Sequence, residues 1–177
     1  HAVLVGSESH DVIVRDNLLE NGQVGGGVGG VVLFAPPGSP PIIGVIVESN
    51  RVSGFPRGGI LLRNASRNLL RDNSLTSTGT PGEQRAGIMI TEGSRDNVVW
   101  ANHVQESRAA GIRIEVGSSG NLITNNTIAD SIENDCHDDT VGQGTAGTAN
   151  TWDNNRGRTE NRQGLCRGGY PPLPAPA

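Results

Sequence analysis

Lysine is absent from these 177 residues: all 14 basic side chains are arginine, set against 18 acidic ones for a formal net charge of −4. That balance offers no basic stripe and excludes nucleic acid as an expected partner. Aromatics make up only 3% of the chain, while glycine occurs 26 times. Both suit tight turns between short strands and an interior filled by Val, Ile and Leu. No run approaches the ~20 apolar residues needed to span a bilayer, and no signal peptide is visible. Cysteine is reduced to Cys136 and Cys166. The chain opens directly on His1-Ala2-Val3-Leu4-Val5-Gly6, already a strand pattern. The expectation is therefore a trimmed or mature piece with an open apolar end.

What the chain does have is repetition. Asn17-Leu18-Leu19, Asn50-Arg51-Val52, Asn73-Ser74-Leu75, Asn102-His103-Val104 and Asn126-Thr127-Ile128 recur, and Asn155-Arg156-Gly157 is a degenerate sixth. Interleaved with them are Gly30-Val31-Val32-Leu33, Gly59-Ile60-Leu61-Leu62, Gly87-Ile88-Met89-Ile90 and Gly111-Ile112-Arg113-Ile114. A period of this length with short apolar runs marks a solenoid. The runs alternate with period two, so each coil is built from strands. In such a stack each coil buries its inner side chains against the next, and no globular core is needed.

Aligning the coils on their Asn gives a register. In the first strand Val31, Ile60, Ile88, Ile112 and Cys136 point inward, as do Leu33, Leu62, Ile90 and Ile114. In the second strand Val14, Val47, Leu70, Val99, Ile123 and Trp152 point inward. Five residues before each repeated Asn lies a second column: Val12, Val45, Asn68, Asn97, Asn121 and Asn150. Stacked Asn amides can bond from coil to coil, and Asn tolerates the left-handed conformation at sharp bends. Both columns are therefore read as structural. Two segments lengthen the period, 23–41 and 76–85; such loops carry specificity on a rigid scaffold or are simply cheap insertions. Residues 1–166 form one domain, and the Pro-rich tail 167–177 an extended end.

The repeat, clearest over Gly111 to Ile128, resembles the right-handed parallel β-helix. That superfold is shared by pectate-lyase-like proteins, polysaccharide epimerases and periplasmic copper-site maturation proteins. The stretch from Asn134-Asp135-Cys136-His137-Asp138-Asp139 to Gly164-Leu165-Cys166 resembles the end of secreted actinobacterial β-helix proteins. The resemblance implies an all-β, right-handed parallel β-helix of about six coils. It implies little about activity, because this superfold hosts many functions.

Cys136 falls one coil before Cys166. Adjacent coils lie ~4.8 Å apart, within reach of a disulfide, which implies a secreted or periplasmic setting. A pair of buried thiols, or a metal site with His137, are the alternatives. On the outward face of the first strand, one column runs Val32, Leu61, Met89, Arg113, His137. The next runs Phe34, Arg63, Thr91, Glu115, Asp139. The face is apolar at one end and charged at the other.

Glu115, Asp139 and His137 are the candidate catalytic groups of a lyase, hydrolase or epimerase, since two carboxylates one coil apart could serve on a glycosidic bond. Arg63 and Arg113 are candidate substrate-binding residues, and Arg113 is expected to be replaceable at little cost in stability. Asp138 and Asp139 are candidate ligands for calcium. Polysaccharide is thus the expected partner. Ile13, Ile46, Leu69, Val98 and Leu122 form an outward apolar stripe, a candidate surface for self-association or for a missing segment. A one-residue slip would bury that stripe and expose the Asn column instead. The competing functions are a non-catalytic extracellular assembly protein and a periplasmic metal-site maturation factor. Loops walling the charged face would favour an enzyme, and a flat face with open ends would favour assembly.

Overall fold

The computed structural model describes residues 1–20, 29–83 and 85–166. Part of the first long segment and the Pro-rich tail lie outside the described residues. Every strand pairs in parallel with its counterparts in the neighbouring coils, and three sheets result. Sheet A contains Val3–Val5, Val31–Phe34, Ile60–Arg63, Ala86–Thr91, Ala110–Ile114 and Cys136–Asp138. Sheet B contains Ile13–Arg15, Ile46–Glu48, Leu69–Arg71, Val98–Trp100, Leu122–Thr124 and Thr151–Asp153. Sheet C contains Leu18–Glu20, Arg51–Ser53, Ser74–Thr76, His103–Gln105 and Thr127–Ala129. The chain is a parallel β-solenoid of about five turns; sheets A and B have six strands each and sheet C five, because the last described coil has no sheet C strand.

The inward columns are the expected ones. Ile60, Ile88 and Ile112 pair in register in sheet A, as do Leu70, Val99 and Ile123 in sheet B. All six are fully buried. The slipped register is excluded, since the Asn column is inside. Asn50, Asn73, Asn102, Asn126 and Asn155 are buried, as are Asn68, Asn97, Asn121 and Asn150. Each of these Asn oxygens accepts two bonds from the Asn of the coil before, except that of Asn68, which accepts one from Val45 N at 2.9 Å. Asn73 donates to Asn102 Oδ1 from its backbone N at 3.1 Å and from Nδ2 at 2.9 Å.

One expectation is corrected. The left-handed bend is not made by the ladder Asn but by the residue before it. Asp16, Ser49, Asp72, Ala101, Asn125 and Asn154 all have φ between 50° and 57°. The Asn itself must keep its side chain aimed along the stack, so the turn falls to a neighbour whose side chain faces water. A residue that tolerates positive φ pays little there.

Glycine matters at the heads of the four middle sheet A strands, at Gly30, Gly59, Gly87 and Gly111. A Cβ on Gly111 would run into Ile128 of sheet C and the Asp135 carbonyl of the next coil. A Cβ on Gly59 would meet Leu75 and the Gly87 carbonyl in the same way. The absent side chains let the inward column of sheet C pack against the start of sheet A.

Asn102→Ala is expected to lower stability by about 2 kcal/mol, because Asn73 N–H is left without its partner in a dry interior. Chemical denaturation monitored by circular dichroism measures this. A loss below ~0.5 kcal/mol would mean that the ladder is not what ties the coils.

Candidate functional site

The outward face of sheet A is not flat. Its first column, Val32, Leu61 and Met89, is in register and nearly covered, at 2%, 5% and 4% exposure. With Phe34, Ala86 and Ala110 these side chains form a small apolar cluster outside the solenoid. The walls come from outside the repeat. The 76–85 segment folds back over the coil before it: Gly79 N donates to Phe55 O at 2.8 Å, and Thr80 Oγ1 to Pro56 O at 2.8 Å. Together they raise Arg57, Glu83 and Arg85 along one side. Arg63, Glu92 and Glu115 stand on the other side, at the ends of the strands. The result is a groove of ≈ 670 Å³ with Leu61 and Met89 in its floor, within the size range of small-ligand sites.

Charges in the groove are mostly paired. Arg63 pairs with Glu92 and also lies over the Phe34 ring at 4.9 Å, a cation–π contact. Arg85 pairs with Glu83 at 3.1 Å. Glu115 accepts a bond from Thr91 Oγ1. Arg57 is exposed, and it has no ion pair among the described residues.

Beyond the groove lies a second cluster. Arg113 stacks on His137 in register. It bonds Asp139 Oδ2 through Nη2 at 2.8 Å and approaches Glu133 at 3.5 Å. His137 Nε2 meets Asp139 Oδ1 at 2.9 Å. Both oxygens of Asp139 are thus engaged, and the Arg113 side chain is 9% exposed. The expected face is therefore divided. Arg63 and Glu115 line the groove. Arg113, His137 and Asp139 close on one another, and Glu115 turns to Thr91 rather than to Asp139.

These contacts argue against the expectation that Arg113 is dispensable for stability. Its loss would leave Asp139 and Glu133 beside each other without their cation. We expect Arg113→Ala to cost about 2 kcal/mol, measured by thermal melts in low salt. A melting point unchanged within error would show that the cluster carries no net stabilisation.

The calcium expectation meets a geometric obstacle. Strand alternation sends Asp138 and Asp139 to opposite faces. Asp138 is fully buried in the solenoid. Its Oδ1 accepts from Thr140 N at 2.9 Å and Thr140 Oγ1 at 2.6 Å, and its Oδ2 accepts from Asn150 Nδ2 at 3.1 Å and Trp152 Nε1 at 2.8 Å. Among the described residues, no three His, Cys, Asp or Glu side chains gather as a metal-ligand set.

Cys136 and Cys166 form a disulfide, which removes both the free-thiol and the metal-ligand alternatives. Sequence reasoning missed Arg57, Glu83, Arg85 and Glu92. The lengthened 76–85 segment was a signal for Glu83 and Arg85 alone.

Residues 2–165 match the family described as periplasmic copper-binding protein (NosD). The chain belongs to the NosD family. This is a right-handed parallel β-helix family, which accords with the resemblance seen in the repeat. Neither a curated protein nor a solved structure matches. NosD proteins are periplasmic, and the Cys136–Cys166 disulfide suits an oxidising compartment. The protein is thus secreted or periplasmic. No helix among the described residues is long and apolar enough to cross a membrane.

Proposed function

We propose that this NosD-family chain is an extracytoplasmic recognition module that binds a segment of polysaccharide in the groove outside sheet A, without cleaving it. The observation that carries this reading is the groove itself: an apolar floor of Leu61 and Met89 between walls of Arg and Glu. Sugar rings offer apolar faces and polar edges, and a floor and rim of this kind complement both. Parallel coils also present side chains at a fixed spacing, so a linear polymer can meet several at once. Binding is favoured over cleavage because Asp139 is turned into the Arg113 cluster and does not join Glu115 in the groove.

Copper binding, as named for the family, does not fit the described residues. Both cysteines are consumed in the disulfide, and Met89 lies in the groove floor. The histidines form no ligand set with other donors among these residues. We therefore derive no step through the metal.

Family membership supports a second reading, a factor for a metal site carried by another protein. The stripe Ile13, Ile46, Leu69, Val98 and Leu122 is in register and only partly covered on sheet B, and it would be the docking face. Leu69→Glu would then abolish partner capture and leave glycan binding intact.

The test of the first reading is titration calorimetry with a panel of neutral and charged oligosaccharides. Saturable binding is expected for the parent. A variant whose 76–85 segment is shortened to the length found in the next coil should fold but not bind. That next coil spans only 24 residues between ladder Asn positions, against 29 for the lengthened one. Absence of binding to any member of the panel would remove the reading.

A further inference from the structure

The groove has an uneven charge pattern that its volume alone does not require. Three cations and three carboxylates line it: Arg57, Arg63 and Arg85 with Glu83, Glu92 and Glu115. Two pairs cancel locally, Arg63 with Glu92 and Arg85 with Glu83. What remains is Arg57 at one corner and Glu115 at the other. Glu115 accepts a hydroxyl from Thr91 but has no cation partner among the described residues. Arg113, two residues before Glu115, is committed to Glu133 and Asp139.

The two corners are diagonal. Arg57 sits in the turn before the strand Ile60–Arg63, and Glu115 follows the strand Ala110–Ile114. Those strands are separated by one intervening strand, Ala86–Thr91. At the spacing of paired strands, the two corners lie ~10 Å apart along the solenoid axis. Arg57 and Arg85 also share a smaller recess of ≈ 200 Å³ with Pro56, Thr80 and Glu83 at the same end of the groove. Arg85 there is held by Glu83, which leaves the Arg57 guanidinium fork to meet a carboxylate. At the far corner Glu115 has acceptor capacity left for an ammonium or for sugar hydroxyls.

We infer that the groove selects a zwitterionic glycan, one in which an acidic sugar and a free amino sugar are neighbours. The carboxylate sits at Arg57, the ammonium at Glu115, and the ring faces rest on Leu61 and Met89. The inference rests on the proposal that the groove binds polysaccharide, and it names the class of glycan. Opposed unpaired charges at the two corners also give the ligand a direction, because the reversed orientation places like charges together at both ends.

The experiment uses three oligosaccharides of equal length: a neutral glucan, a uronate glycan with N-acetylated amino sugars, and its de-N-acetylated counterpart. Each is titrated into the full chain and into the variants Arg57→Ala and Glu115→Gln. The zwitterionic glycan is expected to bind about tenfold more tightly than the N-acetylated one and to lose that advantage in Glu115→Gln. Arg57→Ala is expected to weaken both acidic glycans and leave the neutral one unchanged. Raising the salt concentration should weaken the acidic glycans alone.

Equal binding of all three glycans, unaltered by either variant, would overturn the charge inference and leave the groove reading standing. Failure of all three to bind would overturn both. Tighter binding of a zwitterionic peptide of similar length would overturn the glycan assignment. Melting curves of both variants exclude unfolding as the cause.

Discussion

Asp138→Ala is expected to lower the unfolding free energy by about 4 kcal/mol, the largest effect of any single substitution considered. Asp138 stands in the inward column that is Ile114 in the coil before. A carboxylate in an otherwise apolar column is tolerated only if donors replace its water. Four donors do: Thr140 N–H, Thr140 Oγ1, Asn150 Nδ2 and Trp152 Nε1. The group also ends the second Asn column, since Asn150 takes bonds from Asn121 and passes its own amide to Asp138. Alanine would orphan the Trp152 indole N–H and the Thr140 N–H inside the stack. Asp138→Asn should also be damaging, because an amide N–H₂ would face donors on one side. Urea unfolding of both variants measures the effect. A cost below ~1 kcal/mol for alanine would show that water reaches these donors and that the site is not sealed. Calcium added to the parent is expected to leave the melting point unchanged, in keeping with the inward placement of Asp138.

The second large effect is expected from reduction of Cys136–Cys166. The two cysteines are 30 residues apart, and opening a loop of that length costs roughly 3 kcal/mol through the unfolded chain. The bond ties the last described coil to the stack. Leu165 is buried at 1% exposure, and Glu160 accepts the N–H groups of Gly164 and Cys166 at 2.9 and 2.7 Å. Glu160 and Asn161 in turn pair with Cys136 and Asp138, so the last described residues are held against that coil. After reduction, hydrogen exchange should accelerate at Cys136 N, which bonds Thr159 O at 3.1 Å, and at Arg158 N, which bonds Asp135 Oδ2 at 2.8 Å. Exchange at Asn73 and Asn102 should hardly change, because each coil contacts only its neighbours. Thiol titration of the unfolded, unreduced chain should find no free thiol. Equal exchange rates with and without the bond would show that the terminal coil is held by packing alone.

The groove was the least legible feature. The strand columns are periodic, so Val32, Leu61 and Met89 could be placed on one outward face from spacing alone. Their burial could not, because it depends on where the aperiodic 76–85 segment lies. The path of that segment is decided by bonds to Phe55 and Pro56, which no repeat announces. Arg113 shows the same limit. Its stacking on His137 follows from register, but its pairing with Glu133 depends on a loop outside the strands. Asp138 was different: alternation from Cys136 already puts it inside. Only the donors of Thr140, Asn150 and Trp152 explain how a carboxylate can stay there.

The sequence by itself determined the parallel solenoid, the inward columns and the Asn ladders, because stacked coils must repeat the same side chain at the same place to satisfy each other. It also brought its only two cysteines to within one coil of each other, while the folded chain decided that they bond. The tertiary structure decided which outward residues share a groove and which charges remain unpaired. Those outcomes rest on side chains brought together from loops with no period, where contact follows from the folded path and not from spacing along the chain.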